Sequence, residues 1–288
     1  MKKAILVVSF GTSYLDTLEK TIENAENQIR NSFSEYDIYR AFTSHKIIKK
    51  LKEKYEIFVD KPEEMMEKLY EDGYEEVIMQ PLHMIPGEEF IYVNKIAEAF
   101  KDKFSILKVG RPIFYYQGIE ELPQDYSLFI EATKELYEKN NAVVYVGHGT
   151  AHPSNSVYGC LQAVLEDEGY ENVFVGTVEG YPNFETVLRR LKRKNITEVT
   201  LAPLMMVAGD HARNDMASDD EDSWKSILEE EGIKVNLHMK GLGENEKFNE
   251  LYINRIEDLI NNRYIGVGQT KKGHKVKLPS WGGYWYWE

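Results

Sequence analysis

"ILVVSFGTSY", residues 5–14, and "VVYVGHGTAH", residues 143–152, superpose without a gap. In each, an apolar run with the length and composition of a buried strand passes into a Gly-Thr turn. Phe10 falls opposite His148. A second pair extends the match. "YEEVIMQPLHMIPGEEF" (74–90) lies over "ITEVTLAPLMMVAGDHA" (196–212), so that Val77 meets Val199, Pro81 meets Pro203, Leu82 meets Leu204, Met84 meets Met206 and Gly87 meets Gly209. Glu89 then falls opposite His211. Between these pairs "YDIYRAFTS" (36–44) lies over "ENVFVGTVE" (171–179), a looser match that puts Ser44 opposite Glu179. Together they imply an internal duplication, each half being of ordinary domain size.

Within each half, strand and helix patterns alternate. Strand 4–9 precedes a helix near 15–32, where Leu15, Leu18, Ile22, Ala25 and Ile29 recur at helical spacing. Strand 37–42, a helical stretch 44–56, the helix in "KPEEMMEKLYEDGY" with Pro at its start and Gly at its end, strand 75–80, a long loop 81–88, the helix "EEFIYVNKIAEAF" and strand 104–109 follow. The second half reads as strand 142–147, helix 154–168, strand 172–177, helix 183–194, strand 197–202, a loop, helix 219–231 and strand 233–238. Such alternation predicts an α/β fold of two similar domains, each a parallel sheet flanked by helices, with a cleft between them. The expected boundaries are 1–125 and 126–263, with helix 128–140 bridging the halves, a last helix near 245–263 packing back across them, and a tail, 264–288, expected to be flexible.

Composition narrows the function. The chain has 288 residues, 42% of them hydrophobic, enough for a substantial core. A formal net charge of −13 argues against a nucleic-acid binder, which needs a basic surface. An acidic ligand is still compatible, because a local basic cleft can sit in an acidic exterior. The single cysteine, Cys160, excludes a disulfide framework within the chain and a Cys-rich metal knuckle. The opening "MKKAILVVSFGTS" has too short an apolar run for a secretory signal, and no stretch approaches the roughly 20 apolar residues of a membrane span. A cytoplasmic protein with no membrane partner is expected.

In open parallel sheets, ligands bind beyond the carboxyl ends of the strands. His148, Glu179 and His211 each lie at or just past such an end in the second half; Phe10, Ser44 and Glu89 hold the matching places in the first. Two imidazoles and a carboxylate suit divalent cobalt, nickel, iron or zinc, and three protein ligands leave coordination positions open. The structural alternatives are that His211 caps a helix and His148 bonds a loop carbonyl. His83 and His152 are candidates for lining the cleft. His45, His238 and His274 have nothing to raise them above structural residues. Asp219 to Asp222 read as a helix N-terminus, where carboxylates complement the dipole.

"VVSFGTSY", "GHGTAHPSN", "TVEGYP" and "GDHARNDMA…DDEDSW", in that order along residues 1 to 263, resemble the anaerobic sirohydrochlorin cobaltochelatases, relatives of ferrochelatase in the metal-chelatase superfamily. The resemblance implies two α/β domains around a cleft and Co²⁺ insertion into sirohydrochlorin without ATP, in anaerobic cobalamin biosynthesis. It implies His148, Glu179 and His211 as metal ligands. Because a histidine with pKa near neutrality is suited to take a proton, His148 or His211, when not ligating, is expected to accept pyrrole protons. Fe²⁺ or Ni²⁺ is expected to be accepted in vitro, and a homo-oligomer is compatible with this reading. Ser218, where the pattern leads one to expect glycine, departs from it; the tail has no counterpart. Residues expected to contact the tetrapyrrole are Phe10, Gly11, Thr12, Ser13, His83, Glu89, Gly149 and Thr150. Tyr14 and Met84 are further candidates for the apolar wall, and Arg111 and Arg213 for pairing with substrate carboxylates. The alternatives are a sirohydrochlorin ferrochelatase, a tetrapyrrole or metal carrier without turnover, and a metal-dependent hydrolase, which calls for a denser Asp/His set than this chain offers.

Overall fold

The computed structural model describes residues 1–264; His274 and the tail beyond Tyr264, expected to be flexible, lie outside the described residues. Two four-stranded sheets, parallel throughout, form the frame. The first contains β1 (Lys3–Ser9), β2 (Asp37–Phe42), β3 (Glu76–Pro81) and β4 (Ile106–Val109) in the order β2-β1-β3-β4. The second contains β5 (Val143–Gly147), β6 (Val173–Thr177), β7 (Glu198–Pro203) and β8 (Lys234–Leu237) in the equivalent order β6-β5-β7-β8.

The register tests the duplication residue by residue. Val8 pairs with Pro81 and Val146 with Pro203; Ser9 pairs with Phe42 and Gly147 with Thr177. These are the correspondences of all three sequence alignments, the looser one included. Hydrogen bonds just past the strands repeat as well: Thr43 N–H donates to Ser9 O at 2.9 Å and Val178 N–H to Gly147 O at 3.0 Å.

Strands β1 and β5 are buried on both faces, as central strands of covered parallel sheets must be, and so read as unbroken apolar runs. Each fully buried Val, Ile or Leu there contributes roughly 1.5–3 kcal/mol. One face of the first sheet packs on α4 (Pro62–Glu71) and α5 (Glu88–Phe100). The outer face of the second packs on α8 (Phe184–Arg193) and α9 (Trp224–Glu230). The remaining faces share one continuous core with α2 (Asn24–Ser32), α6 (Asp125–Glu138), α7 (Ser156–Asp167) and α10 (Glu246–Ile260), so apolar packing runs unbroken through both halves. The last helix, α10, lies against α2, α6 and β3.

Some expected elements are redrawn. The helix expected over 15–32 is continuous but changes pitch: α1 (Leu15–Leu18) passes through a π-helical turn, Glu19–Glu23, into α2. The helix expected from 219 starts at Trp224, because Ser223 Oγ accepts from Ser226 N–H at 3.1 Å and caps it there. Asp219 to Asp222 therefore lie in turns ahead of the helix, where Ser218 Oγ accepts from Asp220 N–H. The stretch expected to be helical over 44–56 is α3 (His45–Tyr55), capped by Ser44 Oγ.

Candidate metal centre

His148, Glu179 and His211 converge. Each offers one ligand atom within 4.8 Å of the other two, and all three are open to solvent. Local structure explains the convergence. His148 follows Gly147, the last residue of β5, and Glu179 comes two residues after Thr177, the last of β6. Glu179 N–H donates to His148 O at 2.7 Å, one step beyond the ladder. Gly149 has φ of +84°, and a Cβ there would come within 2.7 Å of the Glu179 carbonyl carbon and the Gly180 nitrogen. Only glycine lets these two turns approach so closely. His211 arrives from the loop after β7 and opens a second π-helical turn, Ala212–Met216; such turns recur at functional sites.

Both imidazoles are oriented through Nδ1. His148 Nδ1 lies 2.8 Å from Gly149 O, and His211 Nδ1 lies 2.8 Å from Asp215 Oδ2. A carbonyl and a carboxylate can only accept, so Nδ1 donates in each pair, and in a neutral ring this leaves Nε2 as the nitrogen able to ligate. The rings meet edge to face with centroids 4.4 Å apart. His148 thus does bond a loop carbonyl, and that bond is what fixes its tautomer for ligation. A set of two neutral imidazoles and one carboxylate, with open positions, is suited to holding a borderline divalent ion that must later be released.

Asp215 and Asn155 were not singled out from sequence. Asp215 stands four residues after His211, a spacing that brings side chains together on helical backbone, and it supplies the carboxylate behind a ligating imidazole. Asn155 ties the turns together: its Oδ1 accepts from Thr150 N–H at 3.0 Å and its Nδ2 donates to Tyr181 O at 2.6 Å.

The other expected site residues scatter over several environments. Phe10 is half exposed past the end of β1. Gly11 has φ of +90°, and a Cβ there would run into the Phe42 ring at 2.5 Å. Thr12 and Ser13 are buried, and Thr12 Oγ1 accepts from Tyr14 N–H, closing its own turn. Thr150 Oγ1 accepts from His152 N–H, and His152 caps the short turn Pro153–Asn155 through Nδ1. Glu89 lies in the first turn of α5, partly buried. Both His83 nitrogens are sealed from solvent without a hydrogen-bond partner, and burial lowers its pKa to about 4.

The two arginines part company. Arg111 is not available to a ligand: it pairs with Asp125 at 3.1 Å and Asp258 at 2.8 Å in a buried cluster that also contains Arg255. Arg213, two residues past His211, reaches across to the first half. It donates to Asp16 Oδ2 at 3.0 Å and lies 4.1 Å over the Tyr14 ring, while Tyr14 Oη donates to Asp210 Oδ1 at 3.1 Å.

The sequence matches the family model described as "Cobalt chelatase (CbiK)" over residues 3–261. A sirohydrochlorin cobaltochelatase of Salmonella typhimurium is 37% identical over 264 residues, 91% of this chain and 97% of that protein. The sirohydrochlorin cobaltochelatase CbiKC of Nitratidesulfovibrio vulgaris is 30% identical, over 88% of this chain and 89% of that protein. Among solved structures, the sirohydrochlorin chelatase SirB from Bacillus subtilis subspecies spizizenii in complex with cobalt covers 91% of this chain and 97% of its own, with a TM-score of 0.58 at 14% identity. CbiX, described as the terminal enzyme for siroheme biosynthesis in denitrifying bacteria, gives 0.53 at 14% identity, covering 88% and 98%. At such identities these two speak to the fold alone, and they share it. By sequence, the chain belongs to the cobalt chelatase (CbiK) family.

Proposed function

We propose that this chain is a sirohydrochlorin cobaltochelatase, inserting Co²⁺ into sirohydrochlorin without ATP. The observation that carries the proposal is the convergence of His148, Glu179 and His211, from just past β5 and β6 and from the loop after β7, with a hydrogen-bond acceptor held against Nδ1 of each imidazole.

The halves, 1–125 and 126–263, act as the walls of a cleft. His148, Glu179 and His211 hold the incoming Co²⁺, a substrate of the reaction, and leave positions for the ring nitrogens. As the ion enters, two pyrrole N–H bonds break and two protons leave, while four Co–N bonds to the ring replace the bonds to the protein ligands. An imidazole that has released the metal, His148 or His211, is suited to accept one of them. Phe10 offers an apolar surface to the ring from the first half. The reaction exchanges protons for a dication and needs no phosphoryl group, which is why no ATP is invoked. The ligand set suits Fe²⁺ as well as Co²⁺, so choice between them follows metal supply.

The test is anaerobic mixing of the protein with sirohydrochlorin and Co²⁺, followed by visible absorption beside His148→Ala and His211→Ala. Accelerated formation of the cobalt product, lost in both variants, supports the proposal. A bound tetrapyrrole spectrum with no acceleration over the protein-free mixture sinks it and leaves a carrier. Repeating the mixture with Fe²⁺ measures how far the protein itself selects.

A further inference from the structure

The two halves share their register but not their connections. After β6 the chain passes through residues 178–183 and enters α8. After β2 it makes an excursion instead: α3 leaves from Ser44, and the chain returns so that Phe42 N–H donates to Asp60 O at 3.0 Å before α4 begins at Pro62. The helix α3 is thus an addition at the carboxyl edge of the first sheet, with no counterpart in the second half. Ile47, Ile48, Leu51 and Tyr55 anchor one side of it on the shared core.

Its outer side is basic. "HKIIKKLKEKY" carries five lysines and one glutamate, in a chain of net charge −13. Lys46, Lys50 and Lys54 recur every fourth residue and so form one stripe, all exposed, with no carboxylate within 4.0 Å among the described residues. Lys50 ties the stripe, through Tyr14, to the segment that carries His211. Lys50 Nζ lies 5.6 Å from the centroid of the Tyr14 ring, whose neighbourhood is shared with Arg213, two residues from His211. Three like charges at this spacing repel one another weakly, and an anion sharing the space relieves that repulsion.

We propose that α3 is an anion-recognition element at the mouth of the cleft, in which Lys46, Lys50 and Lys54 bind peripheral carboxylates of the tetrapyrrole. This rests on the reading of the cleft as a tetrapyrrole site. It assigns selection among tetrapyrroles to carboxylate number, separately from the metal ligands. Polycarboxylate rings are steered in by the local positive field of the stripe, within a chain of acidic balance.

The experiment titrates the full-length protein with two porphyrins that differ in charge, uroporphyrin I with eight carboxylates and coproporphyrin I with four, by fluorescence across a range of ionic strength. The wild type is expected to prefer the octacarboxylate and to lose that preference as salt rises. Lys46→Gln/Lys50→Gln/Lys54→Gln should weaken octacarboxylate binding about tenfold and flatten its salt dependence. It should also raise KM for sirohydrochlorin more than it lowers kcat. The triple Lys→Arg variant should restore binding, and Co²⁺ binding measured alone should be the same in all three proteins. Unchanged octacarboxylate affinity and salt slope in the triple Gln variant would overturn the proposal, as would a wild type that binds neither porphyrin. Porphyrin binding that depends on these lysines, in a protein that inserts no cobalt, would sustain the recognition site while removing the chelatase reading.

Discussion

The backbone N–H of Glu179 donates to the carbonyl oxygen of His148 at 2.7 Å. Two ligands of the candidate centre are therefore spaced by the pairing of β5 with β6, so the scaffold's own register fixes that part of the geometry. Glu179→Gln keeps the backbone bond and the side-chain shape while removing the charge. Its Co²⁺ affinity should fall by about 100-fold or more, since even an outer partner of a ligand is worth 10–100-fold. Titration followed by the visible bands of bound cobalt measures this; wild-type affinity in the variant would remove Glu179 from the ligand set.

Asp215 should behave as an orienting group for His211. Asp215→Ala frees the ring and is expected to weaken Co²⁺ binding by roughly 10- to 100-fold. Asp215→Asn keeps an acceptor oxygen and should fall between alanine and wild type. An alanine variant with unchanged affinity would show that the 2.8 Å bond to Nδ1 has no bearing on the metal.

Gly149→Ala combines a strained φ with a Cβ pressed against the Glu179 backbone at 2.7 Å. A cost of about 2 kcal/mol follows, a drop of several degrees in Tm. Because the clash falls on the turn bearing Glu179, Co²⁺ affinity should fall with it. Thermal melts and metal titration on the same sample check both; loss of Tm alone would mean the turn yields without moving the carboxylate.

Asp125 is fully buried between Arg111 and Arg255, and burial lowers the Arg255 pKa to about 10. Removing one member of a buried ion cluster leaves uncompensated charge, so Asp125→Ala should cost about 3–5 kcal/mol in chemical denaturation. A loss under 1 kcal/mol would show that water reaches the arginines in the variant.

His83 predicts a pH effect of definite sign. Its folded pKa, about 4, lies below the ordinary 6.5, so between these values the unfolded chain binds the proton and the folded one does not. Stability is therefore full above pH 6.5 and falls as pH drops toward 4, by up to about 3 kcal/mol. His83→Leu should flatten that part of the stability curve and, by removing two unpaired buried nitrogens, cost little at pH 7. An equally steep fall in the variant would place the titration elsewhere.

Much of this was legible in the chain itself. Parallel strands buried on both faces are written as unbroken apolar runs, so β1 and β5 could be superposed, as could Pro81 and Pro203; that each proline stands beside the equivalent central-strand residue, Val8 or Val146, comes from the structure. His148, Glu179 and His211 stood out because strand ends rarely need imidazole and because their repeat partners differ. The helix start at Trp224 was misplaced, since a serine cap and an acidic first turn look alike before the hydrogen bonds are known. Arg111 was misread because an arginine bound for a buried ion cluster has the same one-dimensional context as one bound for a ligand. Asp215 and Asn155 act through contacts set by a π-helical turn and by loop closure, which no simple period announces.

The placement of α10 bears on how the protein is made. Tyr252 Oη donates to Leu82 O at 3.0 Å, and Arg255 donates to Pro112 O and Ile113 O, so the first half is completed by the last described helix. On the ribosome, residues 1–125 emerge with one flank of their sheet uncovered and wait through the synthesis of the entire second half. Contacts of such sequence separation close late and slowly. The nascent first half thus carries an unfinished flank until Glu246–Ile260 has been made.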